Sequence, residues 1–97
     1  MDIFLTKIEI KCFVKANLLN AIDMELIETN YEDLKFNIKT ENESFVIEVS
    51  GKFEKPVIGK FPLQTETEEE QLRGLMGATM KILNGIARQC KSLIKRV

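Results

Sequence analysis

Phe4-Leu5-Thr6-Lys7-Ile8-Glu9-Ile10-Lys11-Cys12-Phe13-Val14 is the stretch on which the fold turns. Its even positions, Phe4, Thr6, Ile8, Ile10, Cys12 and Val14, are mostly apolar, while Lys7, Glu9, Lys11 and then Lys15 take odd ones. Successive side chains of a strand point to opposite faces, so this period of two predicts a half-buried strand over about residues 3–15. Ile22, Met24 and Leu26 then alternate with Asp23 and Glu25, which predicts a second strand over about 21–29. Residues 16–28 also fit a helix, because Leu18, Leu19, Ile22, Leu26 and Ile27 match a helical stripe, and that alternative stays open.

Downstream the pattern sharpens. Asn30-Tyr31-Glu32-Asp33 reads as a turn, and Leu34, Phe36 and Ile38 alternate with Lys35, Asn37 and Lys39 as a strand over 34–40. A polar turn, Thr40-Glu41-Asn42-Glu43-Ser44, leads to Phe45, Ile47 and Val49 on one face and Val46, Glu48, Ser50 and Lys52 on the other, a strand over 44–54. The two strands form a hairpin with one apolar face, and Gly51 marks a bulge or close approach near its end. Pro56 and Pro62 bracket residues 57–61 within a connector, 55–65, that is irregular or an edge strand.

Thr67-Glu68-Glu69-Glu70 is a capping box and opens a helix over about 67–96. Leu72, Met76, Leu83, Ile86, Cys90, Leu93 and Val97, with Thr79, recur at three- and four-residue steps and give it an apolar face. Glutamates crowd its start and Arg88, Lys91, Lys95 and Arg96 its end, which complements the helix dipole. Gly74, Gly77, Ala78 and Gly85 form a small-residue stripe, and each glycine costs about 1 kcal/mol against alanine. A close contact with a second helix or with the sheet offsets that cost, and the stripe is read as an oligomer interface.

The whole is one α+β domain over residues 1–97, a four-stranded antiparallel sheet followed by one long C-terminal helix. Chains this short hide only about 60–65% of their unfolded surface, so a homo-oligomer, dimer or tetramer, is expected. Charge is balanced, 14 Lys+Arg against 15 Asp+Glu, and no basic field marks a nucleic-acid partner. Two distant cysteines, Cys12 and Cys90, and the lack of a basic-then-apolar leader or a long uncharged run point to a reducing cytoplasm without membrane insertion.

Catalytic chemistry is hard to assemble from these residues. Histidine is absent, which removes the commonest general base and metal ligand. No metal-binding spacing, phosphate loop or cofactor motif occurs, and Cys12 and Cys90 read as buried small hydrophobes. No enzyme, metal or cofactor is expected. Apolar residues surplus to one sheet-on-helix core are more telling: Phe13, Ile27, Val46, Phe53, Val57, Ile58, Phe61 and Leu63 are read as a surface for a client polypeptide or for a second copy.

Several stretches resemble the SecB family of export chaperones. Met76-Gly77-Ala78-Thr79-Met80-Lys81-Ile82-Leu83-Asn84-Gly85-Ile86-Ala87-Arg88, with Ser92, Leu93 and Arg96 beyond it, is similar to the SecB helix with its Gly-Ala, Ile-Leu and Ala-Arg pairs. Residues 4–10 resemble the family's first strand, and Phe45–Phe53 resembles the strand that ends in Gly-x-Phe. The chain departs from the family at Asn84-Gly85-Ile86, where an aromatic-proline-aromatic run is usual, and at Val97, where SecB continues into a second helix and a SecA-contacting tail. The resemblance is therefore to a divergent or shortened member. It implies an ATP-independent holdase that lays unfolded or extended segments along apolar grooves of an oligomer, in protein export as in the family it resembles.

A second resemblance is to the small dimerising component of the KEOPS tRNA-modification complex, which also joins antiparallel strands to a C-terminal helix. Leu72-Arg73-Gly74 is similar to part of that helix. It implies a structural subunit rather than a chaperone, and it requires residues 16–28 to be helical and has little use for 54–65.

Overall fold

The computed structural model describes residues 1–94, with side chains through Cys90. The order is helix α1 (Lys7–Asp23), a 3₁₀ turn (Tyr31–Asp33), strands β1 (Lys35–Glu41), β2 (Ser44–Ser50) and β3 (Val57–Pro62), and helix α2 (Glu68–Ile94). The expected strand over 3–15 is instead an N-terminal strap running into α1, and the expected strand over 21–29 is the end of α1 and a loop. Three strands, not four, make the sheet, and β3 arises within the expected connector 55–65. The four-stranded, SecB-like order is thereby overturned.

Local chemistry explains why α1 is a helix. Thr6 accepts from the Glu9 N–H at 3.1 Å, and Glu9 accepts from the Thr6 N–H at 3.0 Å, a complete capping box. Ile10, Val14, Leu18 and Ala21, at helical steps, are all buried. Burying a Val, Leu or Ile contributes about 1.5–3 kcal/mol each, so this face outweighs the alternation that places Ile8 and Cys12 on solvent. At the other end Leu26 N–H donates to Ala21 O at 2.8 Å and Glu25 N–H to Ile22 O at 3.0 Å. This is a Schellman motif, with Glu25 at φ 59° in the left-handed place where glycine is preferred.

The hairpin expected over 34–54 is present, ending at Ser50. Its two-residue turn has Asn42 and Glu43 both left-handed, at φ 49° and 61°, as a type I′ turn requires. The order is β1-β2-β3, antiparallel throughout, with Phe36 opposite Val49, Ile38 opposite Ile47 and Phe45 opposite Phe61. Directly opposed side chains share a face, so these residues and Val57 form the inner face, which joins both helices in one core. The Phe45 and Phe61 rings stand 5.2 Å apart, and the Lys15 ammonium of α1 sits 5.4 Å from the Phe36 ring centre. Gly51 is a close-approach site, since a Cβ there would meet Leu34 and Phe53 at 2.9 Å each.

Helix α2 lies on β3 with its backbone close to the strand. Thr67 caps it, accepting from the Glu70 N–H at 3.2 Å. The inward residues are Gln71, Leu75, Ala78, Thr79, Ile82, Ile86 and Cys90, whereas Leu72 and Met76, assigned to that face from sequence, are exposed. Leu93 and Val97, and the basic residues Lys91, Lys95 and Arg96, lie outside the residues whose side chains are described. Buried Gln71 ties down the strap: its Oε1 accepts from Phe4 N–H at 2.9 Å and Leu5 N–H at 2.8 Å, and its Nε2 donates to Leu63 O. Asp2 and Thr65 exchange backbone hydrogen bonds beside it. Among the described residues no helix is long and apolar enough to cross a membrane.

Candidate functional site

Of the eight residues expected to form a client surface, the structure leaves one exposed. Ile27, Val46 and Phe61 are each 3% exposed, and Phe13, Phe53, Val57 and Leu63 are half-buried against the core, so only Ile58 presents itself openly. The cause is the extra helix. α1 covers part of the sheet face that a strand-first fold leaves open, and β3 turns Val57 and Phe61 inward opposite Val49 and Phe45. Cys12, expected to be buried, is exposed on α1.

The small-residue stripe is also redistributed. A Cβ on Gly85 would fall 2.6 Å from Val57 Cγ1, and one on Gly74 3.0 Å from Phe61 Cβ. Both glycines therefore admit β3 of the same chain. Gly59 completes that contact from the strand side, with its Cβ position 2.7 Å from Ala78 O. Gly74, Ala78 and Gly85 serve the interior rather than a subunit boundary. Gly77 alone faces open space, with nothing within 4 Å of an added Cβ.

One group of the exposed apolar residues lies between the two helices. Phe13 and Asn17 of α1 face Met76, Thr79 and Met80 of α2 across a first hollow. Ala21, Leu26 and Ile27 face Met80, Leu83, Asn84 and Ala87 across a second, of about 310 Å³. Met80 borders both, so they form one cleft. Two of its polar side chains are engaged locally: Asn17 Nδ2 donates to Phe13 O at 2.8 Å, and Thr79 Oγ1 donates to Leu75 O at 2.7 Å. What faces outward is largely hydrocarbon and thioether, with Leu26 62% exposed and Met76 and Met80 each 56%. Methionine is flexible and polarizable, which suits a surface that adapts to varied apolar partners.

Sequence reasoning missed this cleft by merging two stripes of α2 into one. Leu72, Met76, Met80, Leu83 and Ala87 run at three- and four-residue steps beside the buried Gln71, Leu75, Ile82 and Ile86. A helix carrying two such parallel rows has more apolar surface than one sheet can cover, and that signal was present in the residues.

On the opposite flank of α2 a more polar hollow is lined by Glu54, Lys55, Val57, Ile58, Lys81, Gly85, Arg88 and Gln89. Gln89 closes it by pairing with the Lys55 backbone, accepting from the N–H at 2.9 Å and donating to the carbonyl at 2.8 Å. Chemistry is sparse. Burial pushes the Cys90 thiol above its ordinary range, which disfavours the thiolate. Among the described residues no group of three or more His, Cys, Asp or Glu side chains could hold a metal ion. Comparison with family models, curated proteins and solved structures finds no match to this chain.

Proposed function

We propose that this chain is a non-enzymatic polypeptide-binding protein that holds apolar segments of other chains, without nucleotide, in the cleft between α1 and α2. One observation carries the reading: two largely apolar hollows share Met80, and Asn17 and Thr79 beside them are already hydrogen-bonded to backbone carbonyls of their own helices. Burial there is non-directional, so many client sequences fit, and no reacting group is needed. A reducing, cytoplasmic setting accords with two free thiols, one exposed and one buried.

The test is suppression of aggregation of a chemically unfolded substrate at stoichiometric amounts without nucleotide. Suppression is expected, and it weakens in a Leu26→Ser, Met76→Ser variant whose circular dichroism is unchanged. Failure of the wild-type protein to suppress removes the reading.

A structural subunit of a larger assembly is the second reading. Of the residues 16–28 that the KEOPS-type resemblance requires to be helical, 16–23 are and 24–28 are not; what opposes the reading further is that 57–62 is a strand of the sheet rather than a dispensable connector. A single stable partner in pull-downs, with no holding activity, selects this alternative.

A further inference from the structure

The two edges of the sheet are unequal. Bonded and non-bonded positions alternate along an antiparallel pair, and Glu41 and Ser44, which close the tight turn, are a bonded pair, so Lys35, Asn37 and Lys39 also bond to β2. Leu63 N–H donating to Glu43 O fits the same alternation, with the odd-numbered positions of β2 turned to β3. Phe36, Ile38 and Thr40 are left with N–H and C=O groups aimed past the edge, and among the described residues no hydrogen bond takes them up. The outer edge of β3 is guarded, because Pro62 has no N–H to offer there and Pro56 precedes the strand. β1 has neither a proline nor a bulge.

The open edge is lined with cations. Lys15 of α1 stands over Phe36, and Lys7, Lys11 and Lys15 follow one another at four-residue steps on one flank of that helix, whereas Phe13 and Asn17 turn toward α2. Lys35 and Lys39 line the outer face of β1. Lys7, Lys11, Lys15 and Lys35 form no ion pair among the described residues, and Lys39 pairs with Glu41 at 3.7 Å with both side chains about half exposed. Four residues of helix rise about 6 Å and two residues of strand about 6.6 Å, so the lysine row and the row of open groups advance in step.

We propose that β1 accepts an extended, acidic segment of another polypeptide as a fourth strand. Laid antiparallel, the segment exchanges two main-chain hydrogen bonds with each of Phe36, Ile38 and Thr40, about six in all, and its carboxylates meet the lysines of α1 and of the outer face. Edge lysines repel a like edge, so the charges that admit an acidic strand disfavour a second copy. This site is separate from the cleft between the helices, and the two readings stand or fall independently.

Fluorescence anisotropy of a labelled octapeptide of alternating glutamate and valine, capped at both ends, tests it. Saturable binding is expected, about tenfold weaker for the lysine-valine peptide of the same length and about tenfold weaker for a glutamate-valine peptide whose central four amides are N-methylated. In the protein, Lys11→Glu with Lys35→Glu weakens binding by about tenfold. Thr40→Pro, which removes one outward N–H, weakens it by about fivefold or more with circular dichroism unchanged, and the N-methylated peptide carries the main-chain test should that variant not fold. The Leu26→Ser, Met76→Ser variant binds as wild type does. No binding, equal affinity for the lysine-valine or the N-methylated peptide, or loss confined to the Leu26→Ser, Met76→Ser variant overturns the inference. A wild-type dimer in sedimentation velocity that Thr40→Pro dissolves also overturns it, since the edge then belongs to a second copy. Intact peptide binding without suppression of aggregation removes the cleft reading and supports this one, and the reverse outcome does the opposite.

Discussion

The two helices begin alike and are held differently. Thr6-Lys7-Ile8-Glu9 and Thr67-Glu68-Glu69-Glu70 share the spacing of a capping box, and both threonines accept from the backbone three residues on. Beyond the caps they diverge. α2 presses its backbone against β3 through Gly59, Gly74 and Gly85, while α1 rests on the core through the side chains of Ile10, Val14 and Leu18. The contrast teaches that a start signal specifies where a helix begins, and that the shape of its inner face decides how tightly it is fixed.

The largest expected effect breaks the α2 side. Gln71→Leu removes the partners of one buried and one half-buried N–H group and of a half-buried carbonyl, at about 1–3 kcal/mol for a buried unsatisfied group, so a loss of about 2–3 kcal/mol is expected in chemical denaturation. A loss below about 1 kcal/mol means that water replaces the clip without penalty.

Two alanine substitutions sharpen the comparison because they should differ in sign. Gly59→Ala drives a methyl against the Ala78 carbonyl and costs about 1–3 kcal/mol. Gly77→Ala enters open space and stabilises by about 0.5–1 kcal/mol. Equal thermal shifts for the two contradict the close approach of α2 and β3.

Smaller effects are expected on α1. Thr6→Ala should cost about 1 kcal/mol in thermal denaturation, because the hydroxyl that accepts from the Glu9 N–H is lost while the residue-6 N–H keeps its Glu9 acceptor. Glu25→Gly should stabilise by about 0.5 kcal/mol, since glycine accepts the left-handed backbone there without strain. A destabilised Glu25→Gly protein argues against the Schellman geometry at the end of α1.

Legibility in the sequence follows the same contrast. The hairpin is readable because its alternation matches strands with one buried face and a polar run, with Asn42 at its centre, separates them. α2 was readable from its cap. α1 was misread because apolar residues lie all round it: Ile8, Cys12 and Leu19 outside, Ile10, Val14 and Leu18 inside. Even-numbered positions dominate that set and imitate a strand. The Thr6-x-x-Glu9 spacing was the available correction, since it is the signal that located α2. The cleft was illegible without α1, because half of its wall belongs to the element that had been taken for sheet. Buried Gln71 could not be anticipated either, since its partners are backbone groups of the strap and of Leu63, far away in the chain.

The near-touch of Gly59 and Ala78 also assigns mechanical roles to the walls of the cleft. With a carbonyl 2.7 Å from where a Cβ would stand, α2 cannot slide along β3 or settle deeper onto it, and it acts as a stationary jaw. The other jaw, α1, rests on the core through side chains, chiefly Ile10, Val14 and Leu18, with the Lys15 ammonium over the Phe36 ring. Under the proposed reading, widening for a bulkier guest is expected as a tilt of α1, with faster amide exchange along Phe13–Ala21 as its readout.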